Sequence, residues 1–446
     1  MEQVKQTSSE LPRVLNFIDV IGIVVGGVIG SGIFIVPANI AEIVDYPLLL
    51  LLVWVFGGIM TLFGALTLSE LGAMYPQAGG MYVYLREAYG SLIAFLFGWT
   101  LFLVIDSGTV ATLAVAFSSK YLPHFFNLTP IMKKIIAILL IIFLVSVNYI
   151  GVRWGASLQN FLTFIKFFAL LSICTVIFAF GNGDVKNFYQ PLPEFSSDFI
   201  SKFGLALIPA LWAYKGWETA TFSAGEVKNP SKNIYLGLFL GSLIVILIYI
   251  IANLAYLYVI PVSKMAGSDR IASDAMKVVM GESASSLIAF IILLSIAGAA
   301  NGNMLTGPRV YFAMARDGVF FQKIAEVHKK FLTPHISILA LGIWSSILSL
   351  TGTFEQLFTY VIFGQWLFFT LVAGAVFVLR IKKPEIQRPY KTWGYPITPL
   401  VFILSALFIS INTLIEEPKN SIMGLFIIAL GIPFYIYWKR KQLKQN

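Results

Sequence analysis

The chain has 446 residues, 58% of them hydrophobic and only 12% charged, and its mean hydropathy is +0.83. A soluble chain carries about 25% charged residues, so this composition excludes an ordinary water-soluble globular domain and points to a protein whose outer solvent is lipid. The formal net charge of +9 resembles that of a nucleic-acid binder, but in a membrane chain the placement of the basic residues carries the meaning, and no nucleic-acid partner is expected.

The N-terminal segment, 1–16, is polar and mixed in charge and has no cleavable signal pattern. Twelve apolar spans follow, at 17–41, 47–74, 91–121, 132–150, 156–180, 203–226, 234–260, 283–314, 335–352, 355–380, 396–415 and 421–438. Each is of the order of the roughly 20 residues that cross a bilayer core. The first carries Gly30-Ser31-Gly32 at its middle. Glycines there either let a neighbouring helix approach closely or break the helix. A break is tolerated at membrane depth only where the freed backbone is buried in protein or lines a cavity. Freed N–H groups can hold a carboxylate and freed C=O groups an ammonium, the two charges of an amino acid.

After the second span, Tyr82, Tyr84 and Arg86 follow the Gly79-Gly80 turn and fit an amphipathic segment on the inner surface. The third span carries Asp106. The fifth carries Lys166, about ten residues deep, where a cation costs about 2.5–3.5 kcal/mol unless paired or wet and where snorkelling is difficult. The fifth also holds the lone cysteine, Cys174, so the chain can form neither an intramolecular disulfide nor a cysteine metal site. The sixth span breaks near Lys215-Gly216, after Pro209, and Glu218 stands three residues beyond Lys215. Lys215 either faces a cavity unpaired or pairs with Asp106 or Glu218. In the eighth span, Asn301 and Asn303 either line a cavity or join helices.

Interrupted spans at matching places in two five-span halves point to an inverted-repeat transporter. The halves run over 17–180 and 203–380, with spans at 396–438 outside them and a basic tail at 439–446. With the N-terminus inside, twenty of the 31 lysines and arginines fall on the inner side, nine outside, and Lys166 and Lys215 within spans. This bias places both termini in the cytoplasm.

Four motifs in this order, VIGSGIF (28–34), SELGAMYPQAGGMYVYLREAYG (69–90), WAYKGWETATFSAGEVKNPSKNI (212–234) and RVYFAMARDG (309–318), resemble the amino acid–polyamine–organocation transporters. The resemblance runs through most of the first ten spans and is nearest to bacterial L-amino acid transporters. It implies an all-α polytopic membrane protein with 12 transmembrane helices in a LeuT-like 5+5 inverted repeat, helices 1 and 6 being broken around a midplane site. It places the substrate carboxylate on N–H groups of Gly30, Ser31 and Gly32. The ammonium falls on carbonyls near Val28 and Ile29 and near Trp212 and Ala213, with Lys215 and Gly216 beside them. Trp212 takes the position of an aromatic gate, and a plain packing role is its alternative. Lys166 stands where sodium binds in sodium-coupled relatives.

Glu218 matches a glutamate implicated in proton sensing, or is a polar lock between helices. Lys215 departs from the Gly, Ser or Asp found in much of the family. The charges of RVYFAMARDG are expected to fix an intracellular loop and gate. Light-chain relatives bear a cysteine in the loop after the third span, but here residues 122–131 have none, so no disulfide-linked heavy subunit is expected. No cofactor is implied. The expectation is a sodium-independent exchanger or proton-linked transporter of small neutral L-amino acids in a bacterial-type plasma membrane. The alternatives are a carrier of acidic or cationic amino acids or polyamines with the same fold, or a membrane sensor, channel or embedded enzyme. An enzyme needs convergent His, Asp, Glu or Ser groups, and a channel needs charged rings. The spans offer few of the former and none of the latter.

Overall fold

A computed structural model describes residues 11–189, 197–268, 270–351, 354–416 and 418–443. Residues 1–10 and 444–446 of the two terminal segments, with Lys5 and Lys444, and residue 352 of the ninth span lie outside the described residues. α1 (Phe17–Val28) opens on a capping box. The Asn16 side chain accepts from the N–H groups of Ile18 and Asp19 at 2.8 and 3.1 Å, and its own N–H donates to the Asp19 carboxylate at 2.7 Å. After a break the chain continues as α2 (Gly32–Ile43), bent 41° from α1, and then as α3 (Pro47–Met74). Gly79 and Gly80, at φ 109° and 45°, lead into the short α4 (Met81–Tyr89), which precedes α5 (Ser91–Thr100). A wide π-turn at Leu101–Ile105 joins α5 to α6 (Asp106–Ala116).

α7 (Pro130–Ile150), α8 (Val152–Phe180) and α9 (Ser197–Ala213) follow. A 3₁₀ segment, Trp217–Glu226, succeeds α9. The second half runs through α10 (Pro230–Val259), α11 (Val262–Met265), α12 (Ile271–Met280), α13 (Ser283–Thr306), α14 (Pro308–Arg316), α15 (His335–Thr351) and α16 (Phe354–Lys382). α17 (Ile397–Glu416) and α18 (Pro418–Leu443) close the chain.

Among the described residues there is no strand, only an isolated bridge between Leu15 and Val227. Among the described residues, nine helical segments are long and apolar enough to cross a bilayer, or ten with α1 and α2 as one bent span. α9 and α15, at 17 residues each, are shorter. The protein is thus an all-helical, multi-pass membrane protein. α11 and α12 escape a hydropathy reading because short amphipathic helices lack the length that identifies a span.

α1 lies at the centre, packed against α8, α10 and α13, while α2 packs on α9 and α3 on α10. Large apolar side chains such as Leu139, Phe143, Ile411 and Phe426 point outward, where lipid replaces water. The polar groups are gathered inward. Asn301, on α13, donates to Gln159 at 2.9 Å and accepts from Asn148 at 2.9 Å. Of the two roles read for Asn301 in the sequence, it takes that of joining helices.

The end of the bundle holding residues 11–16 and the end of α18 is locked by charge. Arg309 meets Glu226 in a two-pronged pair at 2.5 and 3.0 Å with neither side chain exposed. The Glu226 carbonyl accepts the N–H groups of Val14 and Leu15 at 2.8 and 2.9 Å. Arg86 and Tyr82 reach Asp317 at 2.6 and 2.8 Å, so two motifs more than 200 residues apart meet. Partial burial pushes the Glu87 carboxyl up, but hydrogen bonds from Lys383 and Arg86 outweigh it and hold it below the usual range.

Arg309→Met leaves Glu226 buried without a counter-charge and is expected to cost about 3–5 kcal/mol, read as a lower unfolding temperature in detergent. Arg309→Met with Glu226→Gln is expected to recover much of that loss. Equal losses in the single and double variants would show that the pair is not the cause.

Candidate substrate site at the two helix breaks

α1 ends at Val28, and its last bond is donated by the Ile29 N–H to Val25 at 2.9 Å. Residues 29–31 leave the helix and α2 restarts at Gly32. Glycines on both sides of Ser31 lower the cost of leaving the helix, and the first N–H groups of a new helix have no partner within it. α9 ends at Ala213, and Gly216, at φ 121°, turns the chain into the 3₁₀ segment. The two breaks touch through their backbones: a Cβ on Gly216 would lie 2.7 Å from Gly27 C and O, and one on Gly32 would lie 2.9 Å from the Ala213 side chain.

Between them is a cavity. Of the residues expected at the site, Val28, Gly30, Ser31, Gly32, Trp212, Ala213, Lys215 and Gly216 line it. Its far walls are Thr109, Thr112 and Leu113 on α6 and Ala299 and Asn303 on α13. Asn303 thus takes the cavity-lining role that the sequence left open.

Lys166 lies behind α1, fully buried, and its ammonium donates to the carbonyls of Gly26 and Ile29 at 2.5 and 2.6 Å. Asn160 and Thr163 of the same helix reach Asp19 and the Gly22 carbonyl at 2.6 and 3.0 Å, so α8 runs a polar ladder along α1. Ser295 donates to the Ile29 and Gly30 carbonyls at 3.0 and 3.1 Å. The Ile29 carbonyl therefore already receives two donors and does not line the cavity. The Trp212 carbonyl accepts the Lys215 N–H at 3.0 Å. The Val28 and Ala213 carbonyls share one hydroxyl, that of Tyr249, at 3.0 and 3.2 Å. A single proton serves both acceptors, leaving capacity for a second donor.

For Lys215 the sequence left open an unpaired place in a cavity or a pairing with Asp106 or Glu218. Among the described residues no ion pair within 4 Å joins it to Asp106 or Glu218. Its ammonium donates to the Thr109 hydroxyl at 3.2 Å. Asp106 is buried and accepts from Tyr311 at 3.1 Å. Glu218 accepts the Gly216 N–H at 3.0 Å and a hydrogen bond from the Gln365 amide. Both carboxylates lie outside the cavity wall, engaged by neutral donors. Tyr249, Ser295, Thr109 and Thr112 were not singled out in the sequence, because a hydroxyl within an apolar span reveals its target only when the facing helix is known.

Two helix breaks facing each other across a cavity inside an apolar helical bundle define a membrane transporter of the broken-helix class. A family model described as "Amino acid permease" matches residues 15–437, and the chain belongs to that family within the amino acid–polyamine–organocation superfamily. Similar proteins include the serine/threonine exchanger SteT of Bacillus subtilis (strain 168), 31% identical over 97% of this chain and 98% of the relative. The large neutral amino acids transporter small subunit 2 of Mus musculus is 32% identical over 97% of this chain and 82% of its own length. The cystine/glutamate transporter of Homo sapiens is 29% identical over 98% and 88%. These proteins are transporters, and the chain is a membrane transport protein, not an enzyme.

Proposed function

We propose that this protein is a sodium-independent exchanger of small neutral L-amino acids, working by alternating access. The observation that carries the reading is the Lys166 ammonium on the Gly26 and Ile29 carbonyls. A fixed cation there supplies the positive charge that holds the α1 break open, so no sodium ion is needed. The substrate carboxylate lies on the N–H groups of Gly30, Ser31 and Gly32, and the ammonium on the Val28 and Ala213 carbonyls beside Tyr249. Trp212 closes the cavity, while Asp106 and Glu218 tie its supporting helices and serve gating.

In this reading α1 with α2 is the first of twelve spans, and α9 with its 3₁₀ continuation is the sixth. The inverted halves cover 17–180 and 203–380, with 396–438 outside them. Both termini face the cytoplasm of a bacterial-type plasma membrane. Cys174 is buried on α8, which favours a transporter acting without a disulfide-linked subunit. The names of the similar serine/threonine exchanger and large neutral amino acids transporter support neutral cargo, and the first supports small cargo.

The test is uptake of labelled serine into liposomes holding the purified protein. Uptake is expected only with unlabelled amino acid inside, equally in sodium and in choline buffer. Accumulation into empty liposomes under a pH gradient would replace exchange by proton-linked uptake, and stimulation by sodium would overturn the reading.

A further inference from the structure

Lys215 is the least expected group in the cavity. It follows the end of α9, is half-buried, and faces the space enclosed by α6 and α13. Its ammonium has three N–H donors, and among the described residues its hydrogen bond goes to a single neutral acceptor, Thr109. That hydroxyl spends its own proton on the Ile105 carbonyl, at 2.5 Å. Three residues along the same face of α6, the Thr112 hydroxyl is buried, lines the same cavity and has no hydrogen-bond partner. The nearby carboxylates are held by other donors, Asp106 by Tyr311 and Glu218 by Gly216 and Gln365.

We propose that Lys215 and Thr112, with Thr109 as anchor, form a side-chain subsite that selects neutral L-amino acids bearing a hydrogen-bond acceptor over their apolar isosteres. The proposal rests on the reading of the cavity as an amino acid site. An apolar side chain closed into this space strands two ammonium protons and a hydroxyl away from water. A hydroxyl or carboxamide satisfies them, and a site built on buried polar groups rejects a ligand that leaves them unpaired. A cationic side chain meets a like charge. A side-chain carboxylate must give up its hydration to enter this space, where it meets Asp106 and Glu218 nearby as well as Lys215. The class selected is therefore neutral and polar.

Threonine against valine is the sharpest comparison, because the two differ by a hydroxyl for a methyl, and asparagine against leucine is the second. Binding is measured as thermal stabilisation of the detergent-purified protein, and flux as competition with labelled serine in liposomes. Threonine is expected to act at about 10- to 100-fold lower concentration than valine in the wild type. In Lys215→Met the ratio is expected to fall below about threefold, mainly because valine gains, and Thr112→Val is expected to narrow it partly.

Equal potency of threonine and valine in the wild type would overturn the proposal, as would a ratio unchanged in Lys215→Met. Aspartate or lysine as the strongest ligand would also overturn it, in favour of acidic or cationic cargo. Should Lys215→Met fail to fold, Lys215→Gly supplies the second comparison, and the wild-type series is decisive by itself. Stabilisation by threonine and asparagine without any flux would overturn the exchanger reading and leave the subsite standing.

Discussion

Lys166→Ala is expected to abolish amino acid exchange, by about a hundredfold or more, in a protein that still inserts and purifies. The ammonium makes two charge-assisted hydrogen bonds across the start of the α1 break, to Gly26 and Ile29. Such bonds contribute about 1.5–3 kcal/mol each, and together they exceed the 2.7 kcal/mol that corresponds to about a hundredfold in an equilibrium. Without the ammonium, the Gly26 carbonyl loses its side-chain donor and the Ile29 carbonyl keeps only Ser295. The break then drifts toward continuous helix, and the substrate N–H groups turn away. Lys166→Arg should not rescue it, because a planar fork does not fit where a compact ammonium bridges two carbonyls. Counterflow of labelled serine, with expression and elution profile as controls, is the measurement. Exchange at the wild-type rate in Lys166→Ala would remove the basis for sodium independence.

Gly216→Ala is expected to lose substrate binding and to destabilise the protein by roughly 2–5 kcal/mol, from backbone strain and overpacking together. At φ 121° an L side chain is strained in any surroundings, and here its Cβ would fall 2.7 Å from the Gly27 carbonyl carbon and oxygen. Backbone cannot swing aside as a flexible side chain can, so α1 and α9 must separate and the Tyr249 bridge must open. Gly151→Ala, between α7 and α8, is the control. Its Cβ would meet nothing nearer than the Trp154 side chain at 3.5 Å, an ordinary contact, so that variant should bind substrate within about threefold of wild type. Substrate-induced thermal stabilisation measures both. A Gly216→Ala protein that binds like wild type would show that the apposed breaks do not form the site.

The membrane class and both helix breaks are legible along the chain because each depends on local properties. Apolar length, glycine beside serine, and proline before a Lys-Gly step express themselves wherever the segment lies. The break at 29–31 and the one ending at Gly216 fall where the residues locate them. The family is legible for a related reason: its motifs cluster at these breaks and at the charged turns near the bundle end, as Arg86 and Arg309 illustrate.

Partners are another matter. Composition singles out Lys166, Lys215, Asp106 and Glu218 as costly charges, yet it cannot say which oxygen each meets. Sequence spacing joins Lys215 to Glu218, whereas the turn at Gly216 separates the two and brings Lys215 to Thr109, 106 residues away. Tyr249 and Ser295 look like ordinary members of apolar helices until α10 and α13 pack on the breaks. Where the backbone must open is set along the chain, since backbone entropy and side-chain transfer energies act residue by residue. Which groups close around that opening was decided only by the tertiary structure, because a hydrogen bond needs two partners within about 3 Å and only packing brings distant residues that close.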